Sequence, residues 1–370
     1  MNPQQKAATP VADGPLRTAL ADRSVVLCLG SGGVGKTTTS AALALALAKG
    51  GERVVVLTID PARRLADALG LGGELGNEAV KLTLPKPSRA ADRINGEVWA
   101  AMLDPAETFE QIIRAEAGSR KQAERVLANR LFKNLTSSLS GTNEYMAAER
   151  LHQLHNDDRF DRVIVDTPPS RHAIDFLDSP GRLTRFVEHR LYRSVFAPKR
   201  SLLRPLNAGS QIIMRLLARL VGSSLVDDVI SLFSDFEGMD KGFQRRASEV
   251  DALLRGPETA AILVAAPRRD RLAEASWIAG NLAARDRAVD AIVINRSLPL
   301  DAAEAGAAMD EVSGPLAENL AELLLLAAQE DELVTELLAD VGAAPLIRVA
   351  EQAKPIRDLR GLAGLARELG

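Results

Sequence analysis

Short apolar runs and longer helical patterns alternate along this 370-residue chain. The runs are Val25–Leu29, Val54–Ile59, Val98–Leu103, Val163–Val165, Ile262–Ala265, Ala291–Ile294 and Leu346–Val349. Continuous apolar runs bounded by turn residues suit strands buried on both faces, which is the pattern of a parallel sheet covered by helices. The fold expected is therefore α/β, a doubly wound, mostly parallel sheet, in which ligands sit beyond the C-terminal ends of the strands. Two stretches break the alternation: residues 104–160 and 181–255 lack strand runs and read as helices. The organisation expected is a tail over residues 1–14, polar and rich in Pro and Ala, then one domain over 15–370 carrying an inserted helical subdomain.

The first run enters Gly30-Ser31-Gly32-Gly33-Val34-Gly35-Lys36-Thr37, which has the form G-x-x-x-x-G-K-[ST]. An Ala/Leu-rich helical stretch follows from Thr38 to Lys49 and meets Gly50-Gly51, a glycine stop. Strand, glycine loop and helix in this order are the context a phosphate-binding loop requires. Glycines let successive N–H groups curl around phosphate oxygens, and the helix N-terminus adds its positive dipole end. Gly32, Gly33, Val34, Gly35 and Thr38 would line that cradle, Lys36 would reach the β/γ-phosphates, and the Thr37 hydroxyl would hold Mg²⁺. Asp60, Asp166 and Asn295 also follow apolar runs, so four candidate groups fall at strand ends independently of the motif. Each has a plainer reading: Asp60 before Pro61 as a turn or helix-cap residue, Asp166 and Asn295 as strand-end turns.

Composition narrows the function classes. Charged residues make up 26% of the chain and the net charge is −3, which gives no support for a nucleic-acid binder. Cys28 is the single cysteine and lies in the first run, so neither an intrachain disulfide nor a multi-cysteine metal site can form. No stretch of about 18 apolar residues and no leader-like segment is evident, and the expected location is cytoplasmic, with peripheral membrane contact as an option. That option rests on Arg182–Leu220, which carries nine Lys/Arg against one acid, Glu188. Ile212, Ile213, Leu216, Leu217, Leu220 and Val221 mark an apolar face there, with Arg215 and Arg219 opposite. Such a helix can lie on a membrane or grip a partner, although a core-facing helix with a solvated cationic face explains it as well. The acids that follow, Asp227, Asp228, Asp235, Glu237 and Asp240, could absorb some of the charge.

The segments GSGGVGKTT (30–38), TIDPARRLADALGL (58–71), SGTNEYMAAERL (140–151), DTPPSRHAIDFLDSP (166–180) and INR (294–296) resemble the arsenite-pump and tail-anchored-protein-targeting ATPases. The likeness extends over about residues 15–350 and is nearest to the actinobacterial and myxobacterial branch. It implies a P-loop ATPase domain using ATP and Mg²⁺. Asp60 would lie in a first switch and orient or deprotonate the attacking water. Asp166 would bind Mg²⁺ through water and begin a second switch, and Asn295 would read the adenine, with the backbone of Val349–Lys354 closing over the base. The likeness also implies a dimer and a membrane-related or protein cargo. Phosphoryl transfer needs mainly a cation at the γ-phosphate, Mg²⁺ and a group to orient water, and these residues fill those places.

Two departures qualify the likeness. Ser31 stands where such ATPases carry a lysine that crosses a dimer interface to the partner's phosphates. A cation supplied in trans is worth about 10³–10⁵ in rate. Arg63, Arg64 or Arg171 could substitute, a lysine-bearing paralogue could supply the group in a heterodimer, or turnover could be slow. The lone cysteine also removes the metalloid site and the zinc staple expected of such dimers, and Met146, Met214 and Met239 are few for an adaptable cargo groove. Three classes of function follow: a Mg²⁺-ATPase driving a conformational cycle, a nucleotide-holding regulatory subunit, and a small-molecule kinase or ligase on the same sheet.

Overall fold

The computed structural model describes residues 14–60, 64–71, 75–84, 93–129, 142–188, 235–236, 238–299, 312–356 and 358–370. Residues 1–13 of the expected tail, Arg63, and the basic segment beyond 188 with its apolar face and most of the following acids lie outside the described residues. The chain divides into two compact units. One comprises Met1–Leu103, Gln153–Ile174 and Arg255–Gly370; the other comprises Asp104–His152 and Asp175–Leu254.

The first unit holds the sheet. Its strands are β1 (Val25–Gly30), β2 (Arg53–Thr58), β3 (Val80–Lys81), β4 (Glu97–Met102), β5 (Arg162–Asp166), β6 (Thr259–Ala265), β7 (Ala291–Ser297) and β8 (Leu346–Ala350). Their spatial order is β3-β4-β2-β5-β1-β6-β7-β8, and every pairing is parallel except β3 with β4. All seven apolar runs are therefore strands of one mostly parallel sheet. Every residue of β1, β5 and β6 is buried, as strands covered on both faces require. At the edge, β8 alternates instead, with Ile347 and Val349 buried and Arg348 exposed between them. The two-residue β3 has no counterpart among the apolar runs, because both its residues are exposed and carry no burial signal.

Helices α1 (Pro15–Ala19), α2 (Lys36–Lys49) and α3 (Arg64–Leu69) alternate with the first strands. Ten successive residues of α2, Thr39–Ala48, are buried. A helix apolar all round belongs in the middle of a core. The stop at its end is as the glycine pair predicts: Gly50 caps the helix and Gly51 takes a φ of 95°.

The second unit is helical. It contains α4 (Pro105–Glu116), α5 (Arg120–Ala128), most of α6 (Thr142–His155), most of α7 (Ser170–Glu188) and nearly all of α8 (Asp240–Arg255). Asp104 caps α4 by accepting from the Glu107 N–H, and Ser119 caps α5 from the Gln122 N–H. Inside this unit Arg246 donates to Glu149 at 2.8 Å and to Glu116 at 2.6 Å, and Glu149 has no solvent exposure. Gly242 lies so close to Glu116 that a Cβ there would come within 1.7 Å of Oε2. The first unit closes with α9 (Arg269–Ala283), α10 (Pro315–Val341) and α11 (Leu359–Leu369). No helix among the described residues is long and apolar enough to cross a membrane.

Candidate active site

Because the strands run in parallel, their C-terminal ends share one edge of the sheet. Gly30 ends β1, Asp166 ends β5, Asp60 lies two residues past β2, and Asn295 lies near the end of β7. Strand β1 sits between β5 and β6 rather than beside β2, so the chain order reverses there and leaves a crevice.

The glycine loop is built for close approach. A Cβ on Gly30 would sit 2.2 Å from the Val264 carbonyl oxygen of β6, so β1 reaches its neighbour only without a side chain. Gly33 (φ 79°) and Gly35 (φ 98°) adopt left-handed backbone, and nothing stands within 4 Å of a Cβ built on Gly33. Left-handed glycines separated by one residue turn backbone N–H groups inward, into a concave cradle. Gly35 is also the N-cap of α2, and no side chain caps its N–H groups. Val34 is buried, while Gly32 and Thr38 are half-buried along the loop and first helical turn.

Lys36 is 7% exposed, and its Nζ donates to the carbonyls of Gly30 at 3.0 Å and Ser31 at 2.8 Å. Burial pulls its pKa below the usual lysine value, against the opposing attraction of Asp166, Cys28, Asp60 and Glu274. Thr37 Oγ1 donates to Asp166 Oδ2 at 2.7 Å, and Thr58 Oγ1 donates to the same oxygen at 3.1 Å. Asp166 is 1% exposed, and burial pushes its carboxyl up to about 6; the two hydroxyls and Lys36 pull it back, and Asp60 adds to the rise. Asp60 is thus close enough to act electrostatically on both Lys36 and Asp166. Its Oδ2 is paired with Arg64 at 3.6 Å across one turn at the start of α3. Arg64 is largely exposed, as is Arg171. The buried thiol of Cys28, pushed up to about 12 by desolvation, lies beneath this group within β1.

Asn295 is placed against the loop. Its Nδ2 donates to the Val34 carbonyl at 2.8 Å, and its Oδ1 accepts from the Arg296 N–H at 3.0 Å. Gly35 approaches so closely that a Cβ there would be 2.2 Å from Nδ2. A register shift lies between Asn295 and Ser297, and Arg296 has a φ of 63°, so the strand kinks where this contact forms. In this structure the amide braces the phosphate loop, a job the strand-end position alone did not announce. Residues 352–356, with Asp358 and Gly361, border a cleft of about 400 Å³, next to a larger one of about 690 Å³ along α3; Ile356 lines both.

Ser31 is 1% exposed, and its Oγ has no hydrogen-bond partner. After Asp166, Thr167 Oγ1 donates to the Cys28 carbonyl at 2.7 Å, and Pro168 and Pro169 carry the chain to Ser170. Pro169 packs over the loop, 3.9 Å from where a Gly32 Cβ would be. Ser170 has a φ of 25° and donates its hydroxyl to Glu274 of α9. No sequence signal marked Glu274, which sits in an unremarkable helix far along the chain.

Proteins named ATPase GET3 align with part of the chain. The one from Malassezia globosa is 33% identical over 162 residues, 43% of each chain. That from Rhodotorula glutinis is 28% identical over 158 residues, 42% of this chain and 40% of its own, and that from Paracoccidioides lutzii is 33% identical over 158 residues, 42% of each. The chain thus spans about two fifths of the length of these curated relatives. The family model described as anion-transporting ATPase matches residues 23–311, which takes in the glycine loop, both aspartates and Asn295, and the chain belongs to that family.

Proposed function

We propose that the chain is a Mg²⁺-dependent ATP hydrolase whose nucleotide state drives a conformational change in a dimer and in its helical unit, in the service of a membrane-related or protein cargo. The observation that carries the reading is the Thr37–Asp166 pair, one hydroxyl and one carboxylate at 2.7 Å, set beside the buried Lys36 at the mouth of a glycine cradle. The donor set fits the groups required. Hard oxygens from a hydroxyl and a carboxylate suit Mg²⁺, and the open side of Gly33 with inward N–H groups suits a phosphate chain. Bound ATP and Mg²⁺ would supply the transferable phosphoryl group and the charge neutralisation its transfer needs.

The chain's own residues divide the remaining work. Lys36 uses two of its three N–H groups on loop carbonyls and is held in place to meet phosphate oxygens. Its partial desolvation strengthens that attraction, since water no longer screens the ammonium. Thr37 and Asp166 would hold the metal, Asp166 through water. Asp60, polarised by Arg64, would orient the attacking water and accept its proton. Asn295 keeps the loop in shape from β7, and reading the adenine would be its second role. The related proteins named ATPase GET3 support hydrolysis as the activity.

A second reading keeps nucleotide binding but assigns little turnover, with a lysine-bearing paralogue completing the site. It is favoured by the burial of Ser31, whose short side chain is enclosed within its own chain and cannot reach another protomer's phosphates. One experiment separates the two: Mg²⁺-dependent ATP turnover by the purified chain beside Lys36→Ala and Asp60→Asn. Turnover that both substitutions abolish supports the self-sufficient hydrolase. Tight binding with background turnover supports the second reading, and absence of nucleotide binding sinks both.

A further inference from the structure

Thr58 and Asp166 are the last residues of β2 and β5, and they are register partners. Register partners on neighbouring strands show their side chains on one face of the sheet. The same row reaches Cys28 of β1 on the other side of Asp166, and Met102 of β4 beyond Thr58. Asp166 thus lies between a thiol and a hydroxyl, and the hydroxyl is the one that donates to it, at 3.1 Å. The backbone repeats the tie, since the N–H of Ile59 donates to the Asp166 carbonyl at 3.1 Å. Thr58 is 2% exposed, and a β-branched side chain in a strand has few χ1 choices, so its hydroxyl is held where it stands. Thr37 and Thr58 both donate to Oδ2, and among the described residues no hydrogen bond reaches Oδ1.

We propose that Thr58 is a positioning residue for the metal of the nucleotide complex: its hydroxyl fixes Oδ2 of Asp166, which leaves Oδ1 to accept from the metal's water. This inference rests on the ATP reading above. A threonine has one hydrogen to donate, and oxygen lone pairs besides. Thr37 donates its hydrogen to Oδ2 and keeps its lone pairs for the metal. Held by Thr37 alone, the carboxylate could turn about that single bond, and either oxygen could face the site. The second hydroxyl, arriving from a neighbouring strand, removes that freedom. Thr58 and Ile59 together also fix the spacing of the two aspartates, because Asp60 follows them directly. Groups that orient a metal's ligands from behind change metal affinity by about 10–100-fold when they are lost.

The test is equilibrium binding of AMPPNP, an ATP analogue that is not turned over, to the full chain across a Mg²⁺ series and in EDTA. Thr58→Val keeps the shape and removes the donor; Thr58→Ser keeps the donor and removes a methyl group. Thr58→Val is expected to raise the Mg²⁺ concentration that gives half the gain in affinity by about tenfold or more, and to leave affinity in EDTA within about twofold. Thr58→Ser is expected to stay near wild type in both. A role in packing alone would weaken binding alike with and without Mg²⁺. Equal losses, no loss, or a Thr58→Ser as poor as Thr58→Val therefore overturns the proposal. Unfolding midpoints measured alongside identify a misfolded Thr58→Val, and Thr58→Ala then decides in its place. A wild-type chain that binds no AMPPNP, or binds it without regard to Mg²⁺, removes the Mg²⁺–ATP reading and this one together. Mg²⁺-dependent wild-type binding that Thr58→Val leaves unchanged removes this one alone.

Discussion

Glu149 and Asp166 are both withdrawn from water, and they are treated in opposite ways. Glu149, in the helical unit, meets the Arg246 guanidinium at 2.8 Å, and the same guanidinium is shared with Glu116. Asp166, at the edge of the sheet, meets no guanidinium; it is held by two threonine hydroxyls and the field of Lys36, and its carboxyl is pushed up to about 6. A buried carboxylate matched by an arginine has much of its charge compensated within the protein. One matched by hydroxyls keeps a deficit that a cation can fill. The first arrangement holds helices together; the second is one that a ligand cation would complete, and in that the two positions differ physically.

The largest expected effect tests the functional side. Lys36→Ala should lower ATP turnover by about three decades or more, because the cation at the developing charge is gone, while circular dichroism and the unfolding midpoint stay near wild type. On the structural side, Arg246→Ala leaves Glu149 and Glu116 without their shared partner. It should destabilise the helical unit by about 3–5 kcal/mol in denaturant unfolding, with nucleotide affinity changing far less than stability.

Asp166→Asn sharpens the contrast, since it should damage function and help the fold. The folded carboxyl titrates at about 6 against a reference of 3.8. Its ionisation therefore penalises the fold, not at all below pH 3.8, increasingly as pH rises to about 6, and fully above that. In EDTA at pH 7.5 the asparagine variant should be more stable by about 3 kcal/mol. That advantage should shrink as pH falls below about 6, and unfolding series at several pH values will check both size and sign. The smallest effect concerns Cys28. With its thiol at about 12, only about one molecule in ten thousand is thiolate at pH 8, so Ellman's reagent should leave native protein unmodified and titrate one thiol after unfolding in guanidinium.

These predictions also measure how far the fold and site could be read from residues. Strand positions were legible because central parallel strands are apolar on both faces, and seven runs said so. That the loop and both aspartates would meet at one edge was legible because each follows an apolar run that ends there. The strand β3 was not, since two exposed residues leave no periodicity. Neither was the brace from Asn295 to Val34, nor the bond from Ser170 to Glu274, because each joins residues remote in sequence through side chains with no distinctive neighbours. The sheet imprints itself on composition; the contacts that tune a site do not.

The consecutive prolines at 168 and 169 give the segment leaving β5 a mechanical character. Their rings fix φ and remove two amide hydrogens, so this stretch can neither bend freely nor answer a phosphate with its own backbone at those positions. It works as a short stiff strut. A shift at its Asp166 end would be passed to Ser170 rather than absorbed on the way, and the seryl hydroxyl would carry it to Glu274 of α9.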